Sequence, residues 1–182
     1  KQAKYYDSHL TFFENKKTAK FHCAAAEDFD FDQYKNTFDI IFTSPPYFNV
    51  ERYSHDDNQS WVRYKDIDGW NTQFLQKALD NMLPTLKSGG KLCINISDVY
   101  ANSKWSSDRC WLKICDPMND FIQSYGGMEY KGCIGMEMAK RPNSGGAGTA
   151  KDKTQYSEES LQLAEETKNK RFCEPIWIWE KK

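Results

Sequence analysis

The chain has 182 residues, with 25 Lys and Arg against 26 Asp and Glu, for a formal net charge of -1. That balance excludes a uniformly basic nucleic-acid coat but leaves room for a local basic patch. Hydrophobic residues at 39% and aromatics at 15% exclude a disordered chain, and no apolar run approaches the roughly 18 residues of a membrane span.

In chain order, Ala3, Tyr6, Leu10 and Phe13 stand at helical spacing and predict a short helix over Ala3 to Asn15. Ala19 to Ala24 reads as a strand, followed by the acidic Glu27-Asp28-Phe29-Asp30. Thr37 to Thr43 is a clearer strand, β-branched and apolar, stopped by Pro45-Pro46. A polar, aromatic loop runs from Phe48 to about Asp68. From Gly69, the residues Trp70, Phe74, Leu75, Ala78, Leu79, Met82, Leu83 and Leu86 form one apolar helical stripe. Pro84 is expected to kink or tighten its last turns, and Ser88-Gly89-Gly90 to stop it. Lys91 to Ile96 is a buried-strand pattern. Asp116 to Tyr125 predicts a helix with Asp116 at the N-cap and Pro117 first inside. Tyr130 to Met138 and Ile176 to Trp179 are two further strands, expected to pair antiparallel at one edge. Between them, residues 140–171 are rich in Gly, Ser, Lys and Glu, an excursion in which Glu158 to Glu166 could turn helical.

Strands alternating with helices predict an α/β domain with a largely parallel sheet, in one unit over 1–182. Ligands of such sheets sit at the carboxyl ends of the strands. The six cysteines form no CxxC pair, and three lie in strand-like runs. They read as small buried hydrophobes of a reducing compartment, cytoplasmic or, in a eukaryotic source, nuclear. No metal site is expected from their spacing.

Thr43-Ser44-Pro45-Pro46-Tyr47-Phe48-Asn49 follows the strand ending near Phe42. The prolines hold an extended, rigid path and cannot donate, so nearby carbonyls are free to accept. Ser44 adds an acceptor and Tyr47 a flat ring. Rigid acceptors beside an aromatic face suit a planar substrate with an exocyclic amino group, though a plain strand-capping turn with Tyr47 as packing fits the same residues.

Ser44-Pro45-Pro46-Tyr47 resembles the catalytic tetrapeptide of the amino-methyltransferases that use S-adenosylmethionine to methylate exocyclic nitrogens of DNA bases. Asp39-Ile40-Ile41-Phe42 before it, the stretch Leu86 to Leu92, Ile94-Asn95-Ile96-Ser97-Asp98, Ala26-Glu27-Asp28 and Glu174-Pro175-Ile176-Trp177 extend the resemblance from about Lys20 to Lys182. The resemblance implies a Rossmann-like methyltransferase sheet with helices on both faces. It implies Ser44, Pro45, Pro46 and Tyr47 as catalytic residues, with Asp28, Glu27 and Thr43 toward the cofactor. Phe48, Asn49, Asn95 and Arg141 are expected toward the DNA substrate, with Asp98 as a further expected pocket-liner, though a plain loop fits Asn49 and a solvated loop fits Arg141 equally well. Serine in first place favours cytosine N4 over adenine N6. An RNA or protein-amide methyltransferase is the nearest alternative, and a non-catalytic nucleic-acid-binding remnant the alternative of another class. The implied chemistry is direct transfer to a base taken out of its stack, needing no metal and no covalent intermediate.

The family's Gly-rich cofactor turn, of the form Asp-Pro-Phe-x-Gly-x-Gly, is not found in 1–182, and Ser144 to Gly148 follows no apolar strand. The first two, central strands of the sheet are therefore expected from an N-terminal segment or a second chain, as is a longer product from the opening Lys1. Without them, the strand at Phe21 has nothing to pair with.

Overall fold

The computed structural model describes residues 19–48, 56–101, 110–137 and 173–182. The expected helix at Ala3 to Asn15 and the excursion at 140–171 lie outside these residues. Six strands are described: β1 (Phe38–Thr43), β2 (Leu86–Asn95), β3 (Val99–Ala101), β4 (Cys110–Leu112), β5 (Met128–Glu137) and β6 (Cys173–Lys181). The helices are α1 (Ser60–Arg63), α2 (Ile67–Gly69), α3 (Lys77–Met82) and α4 (Cys115–Tyr125), with π-helical Trp70–Gln76 joining α2 to α3 and a 3-10 turn, Leu83–Thr85, after α3. No described helix is long and apolar enough to cross a membrane.

The main sheet has the order β1-β2-β6-β5, and β3 and β4 form a separate two-stranded ladder. β1 pairs parallel with β2, while β2–β6 and β6–β5 are antiparallel. The two last strands pair as expected. The sheet is mixed because β6 returns antiparallel against β2 as well as against β5.

Its helix-covered face carries Ile41, Leu92, Ile94, Trp177 and Trp179, packed with Trp70, Leu75, Leu79, Leu83, Met118 and Ile122. The π-helical turn explains the spacing: at five residues apart, Trp70 and Leu75 share a buried face. Burying side chains of this size contributes roughly 1.5–3 kcal/mol each. By strand alternation, Ile40 and Phe42 point to the opposite face, where they are 58% and 62% exposed. Ile134 is also exposed, and it pairs with Ile176, next to the inward Trp177.

Three expectations are corrected. The segment at Phe21 is not a strand: it makes no ladder, Phe21 is exposed, and β propensity without a pairing edge does not hold a strand together. The long helix ends at Thr85, before the glycines. Pro84 enters a 3-10 turn, and Leu86 is already extended, at φ -69° and ψ 139°, and paired with Phe38. The glycines instead serve an irregularity in β2, where the register jumps from Phe38↔Leu86 to Ile40↔Lys91 and Gly89 sits at φ 76°. Finally, α4 is not capped by Asp116. Its N-cap residue is Ile114, and the acceptor comes from Asp98, whose Oδ1 takes the backbone N–H groups of Ile114 and Cys115, each at 2.9 Å.

Candidate functional site

The carboxyl ends of β1 and β2 lie side by side, with Thr43 opposite Ile94. β6 runs antiparallel to β2, so its first residues reach the same end of the sheet, with Ile176 opposite Asn95. Three segments therefore converge: the tetrapeptide after β1, Asn95 closing β2, and Glu174-Pro175 opening β6.

Hydrogen bonds connect them. The Ser44 hydroxyl donates to Asn95 Oδ1 at 3.5 Å, and the Tyr47 hydroxyl donates to Glu174 Oε2 at 3.3 Å. Asn95 is itself fixed, since its Nδ2 donates to the Pro175 carbonyl at 3.1 Å. Pro45 is buried, Pro46 and Tyr47 are half-buried, and Ser44 is exposed. Pro45 is thus seated in the protein while Ser44 beside it stays exposed.

Phe48, expected at the substrate, lies instead in the core. Its φ is +44°, and its ring, 5% exposed, packs edge-on against Trp70 at 6.1 Å. A positive φ in a bulky residue is strained, and burial of the ring holds it there. Asp98 is likewise no pocket-liner: its carboxylate caps α4, as above. Burial pushes the Asp98 carboxyl up, but the two backbone N–H groups and Lys113 at 3.3 Å outweigh burial and hold it below the usual aspartate range. Asn49 and Arg141 lie outside the described residues.

Glu27 and Asp28 form a second constellation. Glu27, 2% exposed, accepts from Arg63 at 2.8 Å and from the Tyr64 hydroxyl at 3.3 Å. Asp28 accepts from Lys77 at 3.0 Å and from Arg63 at 2.9 Å, and these two donors hold its carboxyl below the ordinary range. Asn81 fastens the same turn by donating to the Glu27 carbonyl at 2.9 Å. Glu27 is thereby sealed in, whereas the half-exposed Asp28 keeps second lone pairs able to accept from an outside amino group. Arg63, Tyr64 and Lys77 also line an open groove with Thr72, Gln73, Gln76, Asp80 and Phe121, and no tetrapeptide residue contributes to it. Thr43 is half-buried at the end of β1.

Cys23, Cys93, Cys115 and Cys133 are free thiols, but of the burial expected for them only Cys115 shows it: Cys93 is half-buried and Cys23 and Cys133 are exposed. Burial, with the Asp98 charge next, pushes the Cys115 thiol up to about 12, leaving it un-ionised at neutral pH. Among the described residues, no group of three or more His, Cys, Asp or Glu could hold a metal ion.

The sequence reading brought Ser44, Tyr47 and Asn95 to one place and missed two residues, Glu174 and Arg63. Glu174 had a readable signal: an acid opening a buried apolar strand must find a donor or stay in water. Arg63 had none, because its partners stand 35 and 36 residues earlier.

The sequence profile of the DNA methylase family matches residues 38–182. Among solved structures, the chain is similar to TTHA0409 from Thermus thermophilus, assigned as a DNA modification methylase. Its complex with S-adenosyl-L-methionine gives a TM-score of 0.52 at 16% identity, covering 88% of this chain and 54% of that one. A further structure of the same protein gives 0.53 at 14% identity, over 90% and 54%. The chain therefore spans about half the length of the solved methylase it matches. No curated protein sequence matches it.

Proposed function

This chain belongs to the N6/N4 DNA methylase family, and we propose that it carries the base-binding part of an enzyme that methylates the exocyclic amino nitrogen of a DNA base, cytosine N4 ahead of adenine N6. The observation that carries the reading is the seating of Ser44-Pro45-Pro46-Tyr47 at the carboxyl end of β1, with the Ser44 and Tyr47 hydroxyls tied to Asn95 and Glu174. The preference for cytosine rests on serine in the first position of the tetrapeptide.

S-adenosylmethionine, when bound, supplies an electrophilic methyl group. Asp28 is the residue suited to accept from its adenine amino group, because its carboxylate is half-exposed while Glu27 is closed off. A target base has to leave its stack to bring its amino group to Ser44 and its face to Tyr47. Tyr47 gives it a face to stack on, worth roughly 1–3 kcal/mol. With its proton directed to Asn95, the Ser44 oxygen presents lone pairs to the amino group. Together with the Pro45 carbonyl, it draws the amino hydrogens into hydrogen bonds, which frees the nitrogen lone pair from the ring. The contribution of these residues is orientation and electrostatics. The strands that hold the rest of the cofactor add, in this reading, at the open edge of β1. DNA is the partner, and a reducing compartment, cytoplasmic or nuclear, is the setting in keeping with the free thiols.

Nucleoside mass spectrometry after incubation with DNA and S-adenosylmethionine tests the reading. N4-methylcytosine is the expected product, and Ser44→Ala and Tyr47→Ala should each abolish it with the fold intact. N6-methyladenine would reverse the base assignment alone. Product at wild-type rate in both variants, or no S-adenosylmethionine binding by the full protein, would overturn the enzymatic reading and favour a non-catalytic nucleic-acid-binding role.

A further inference from the structure

The first residues of β6 do more than close the sheet. Glu174 is a carboxylate only 7% exposed, and such a group is costly to bury unless hydrogen bonds compensate it. An apolar residue would serve β6 equally well as sheet packing. Among its contacts, the carboxylate supplies an acceptor to the Tyr47 hydroxyl, 3.3 Å away. The hydroxyl lies at the far end of the ring from its backbone attachment. A tether there restrains ring tilt and swing more than any contact near Cβ. A stacking platform needs that restraint before the base arrives, because ordering it afterwards would weaken binding and misalign the amino group.

The neighbouring residue acts on the other end of the tetrapeptide. The Pro175 carbonyl is purely an acceptor, so the Asn95 group facing it at 3.1 Å is its NH2. The amide oxygen of Asn95 then turns to Ser44 and accepts a hydrogen bond from its hydroxyl, over 3.5 Å. That length is at the limit of a hydrogen bond and of the kind that shortens when a site closes on substrate. One dipeptide, Glu174-Pro175, therefore orients both polar side chains of the tetrapeptide.

We propose that Glu174 is a positioning residue of the methyl-transfer site, holding the Tyr47 ring in its stacking orientation through the phenolic hydroxyl, while Pro175 acts through Asn95 on Ser44. The proposal rests on the methyl-transfer reading for its kinetic consequences, but its geometric content stands apart from it.

The test uses the full protein with Glu174→Ala, Glu174→Gln, Tyr47→Phe and the double variant Tyr47→Phe/Glu174→Ala. Loss of a hydrogen bond to a charged acceptor predicts that Glu174→Ala and Tyr47→Phe each lower kcat by roughly 10- to 100-fold, with little change in the KM for S-adenosylmethionine. Because both act through one bond, the double variant should be no slower than the slower single variant. Glu174→Gln keeps an acceptor oxygen and should recover most of the rate. Losses that multiply in the double variant, or no rescue by Gln, would overturn the proposal and leave Glu174 a fold residue. NMR of 13C-labelled tyrosine supplies a readout that does not depend on turnover. The Tyr47 side chain should hold one χ1 rotamer, read from three-bond couplings, in the wild type and in Glu174→Gln, and average over several in Glu174→Ala. If the rotamer populations follow this order but no methylated base forms, the functional reading fails and the positioning stands. If the populations are the same in all variants, the positioning fails whatever the activity.

Discussion

Asp98 offers the most direct check on how this structure is held together, because one carboxylate does work usually left to a local cap. Its Oδ1 accepts from the N–H groups of Ile114 and Cys115 at 2.9 Å each, and Ile114 is fully buried. Asp98→Ala leaves both donors without that acceptor at the start of α4, whose buried Met118 and Ile122 belong to the main core. Two buried N–H groups losing a charged acceptor should destabilise by about 2–4 kcal/mol. With a urea m-value of about 2 kcal/mol/M, the midpoint falls by roughly 1–2 M. Asp98→Asn keeps an oxygen for the two N–H groups and loses only the charge, so its cost is about 1 kcal/mol. The pH dependence has a definite sign. The folded carboxyl lies below its ordinary range, so the unfolded state binds more protons in that window and stability rises with pH. The contribution is complete above an aspartate's ordinary value of about 3.9 and is lost as pH falls through the lower folded value. Asp98→Asn should therefore converge on the wild type in acid. Urea unfolding followed by tryptophan fluorescence, at neutral and at acid pH, measures all of this. An unchanged midpoint for Asp98→Ala at neutral pH would refute the reasoning, as would a wild-type to Asn gap that widens in acid.

Two further outcomes follow from other elements. Arg63→Met removes the cation beside Glu27, whose side chain is 3% exposed, and should cost roughly 2–3 kcal/mol in urea unfolding; adding Glu27→Gln to the Arg63→Met variant should recover part of it, and no recovery would mean the charge is not the cause. Gly90→Ala would set a Cβ 2.8 Å from the Lys87 carbonyl oxygen and 3.1 Å from that of Phe38. Both are backbone atoms unable to move aside cheaply, so a loss of about 1–3 kcal/mol is expected, and a thermal midpoint equal to the wild type would show that β2 tolerates a different path at its irregularity.

Which features could be read from the sequence depends on how local their causes are. β1 was legible because its apolar residues and the Pro45-Pro46 stop are contiguous, and the apolar stripe from Trp70 was legible because a helix makes its own hydrogen bonds. The end of that helix was not. Gly89-Gly90 is the familiar stop signal, but Pro84 and the pairing of Leu86 with Phe38 act first, and strand pairing is a non-local event. The same applies to α4, where Asp116-Pro117 looks like a cap and the real acceptor lies 16 and 17 residues before its N–H partners. Within the site, residue types that announce chemistry were found at Ser44 and Tyr47. Phe48 was misplaced because nothing in its identity signals a positive φ, and Glu174 was overlooked because its role depends on the direction of β6.

That direction also explains how a site can be ordered at the end of an edge strand. Among the described residues, β1 pairs only with β2, and Ile40 and Phe42 on its outer face are exposed. A strand held on one side is free to shift along its neighbour, and a one-residue slip would carry Thr43 and the tetrapeptide out of place. Two features oppose the slip. Lys87 pairs with Asp39 at 2.8 Å, but both are exposed, so that pair adds little. The tetrapeptide is also tied to residues outside β1, through Asn95 on β2 and Glu174 on β6, which themselves share the buried ladder of Leu92 with Trp179 and Ile94 with Trp177. The position of Ser44 and Tyr47 is therefore set less by the strand that leads into them than by the two strands that follow them in the chain.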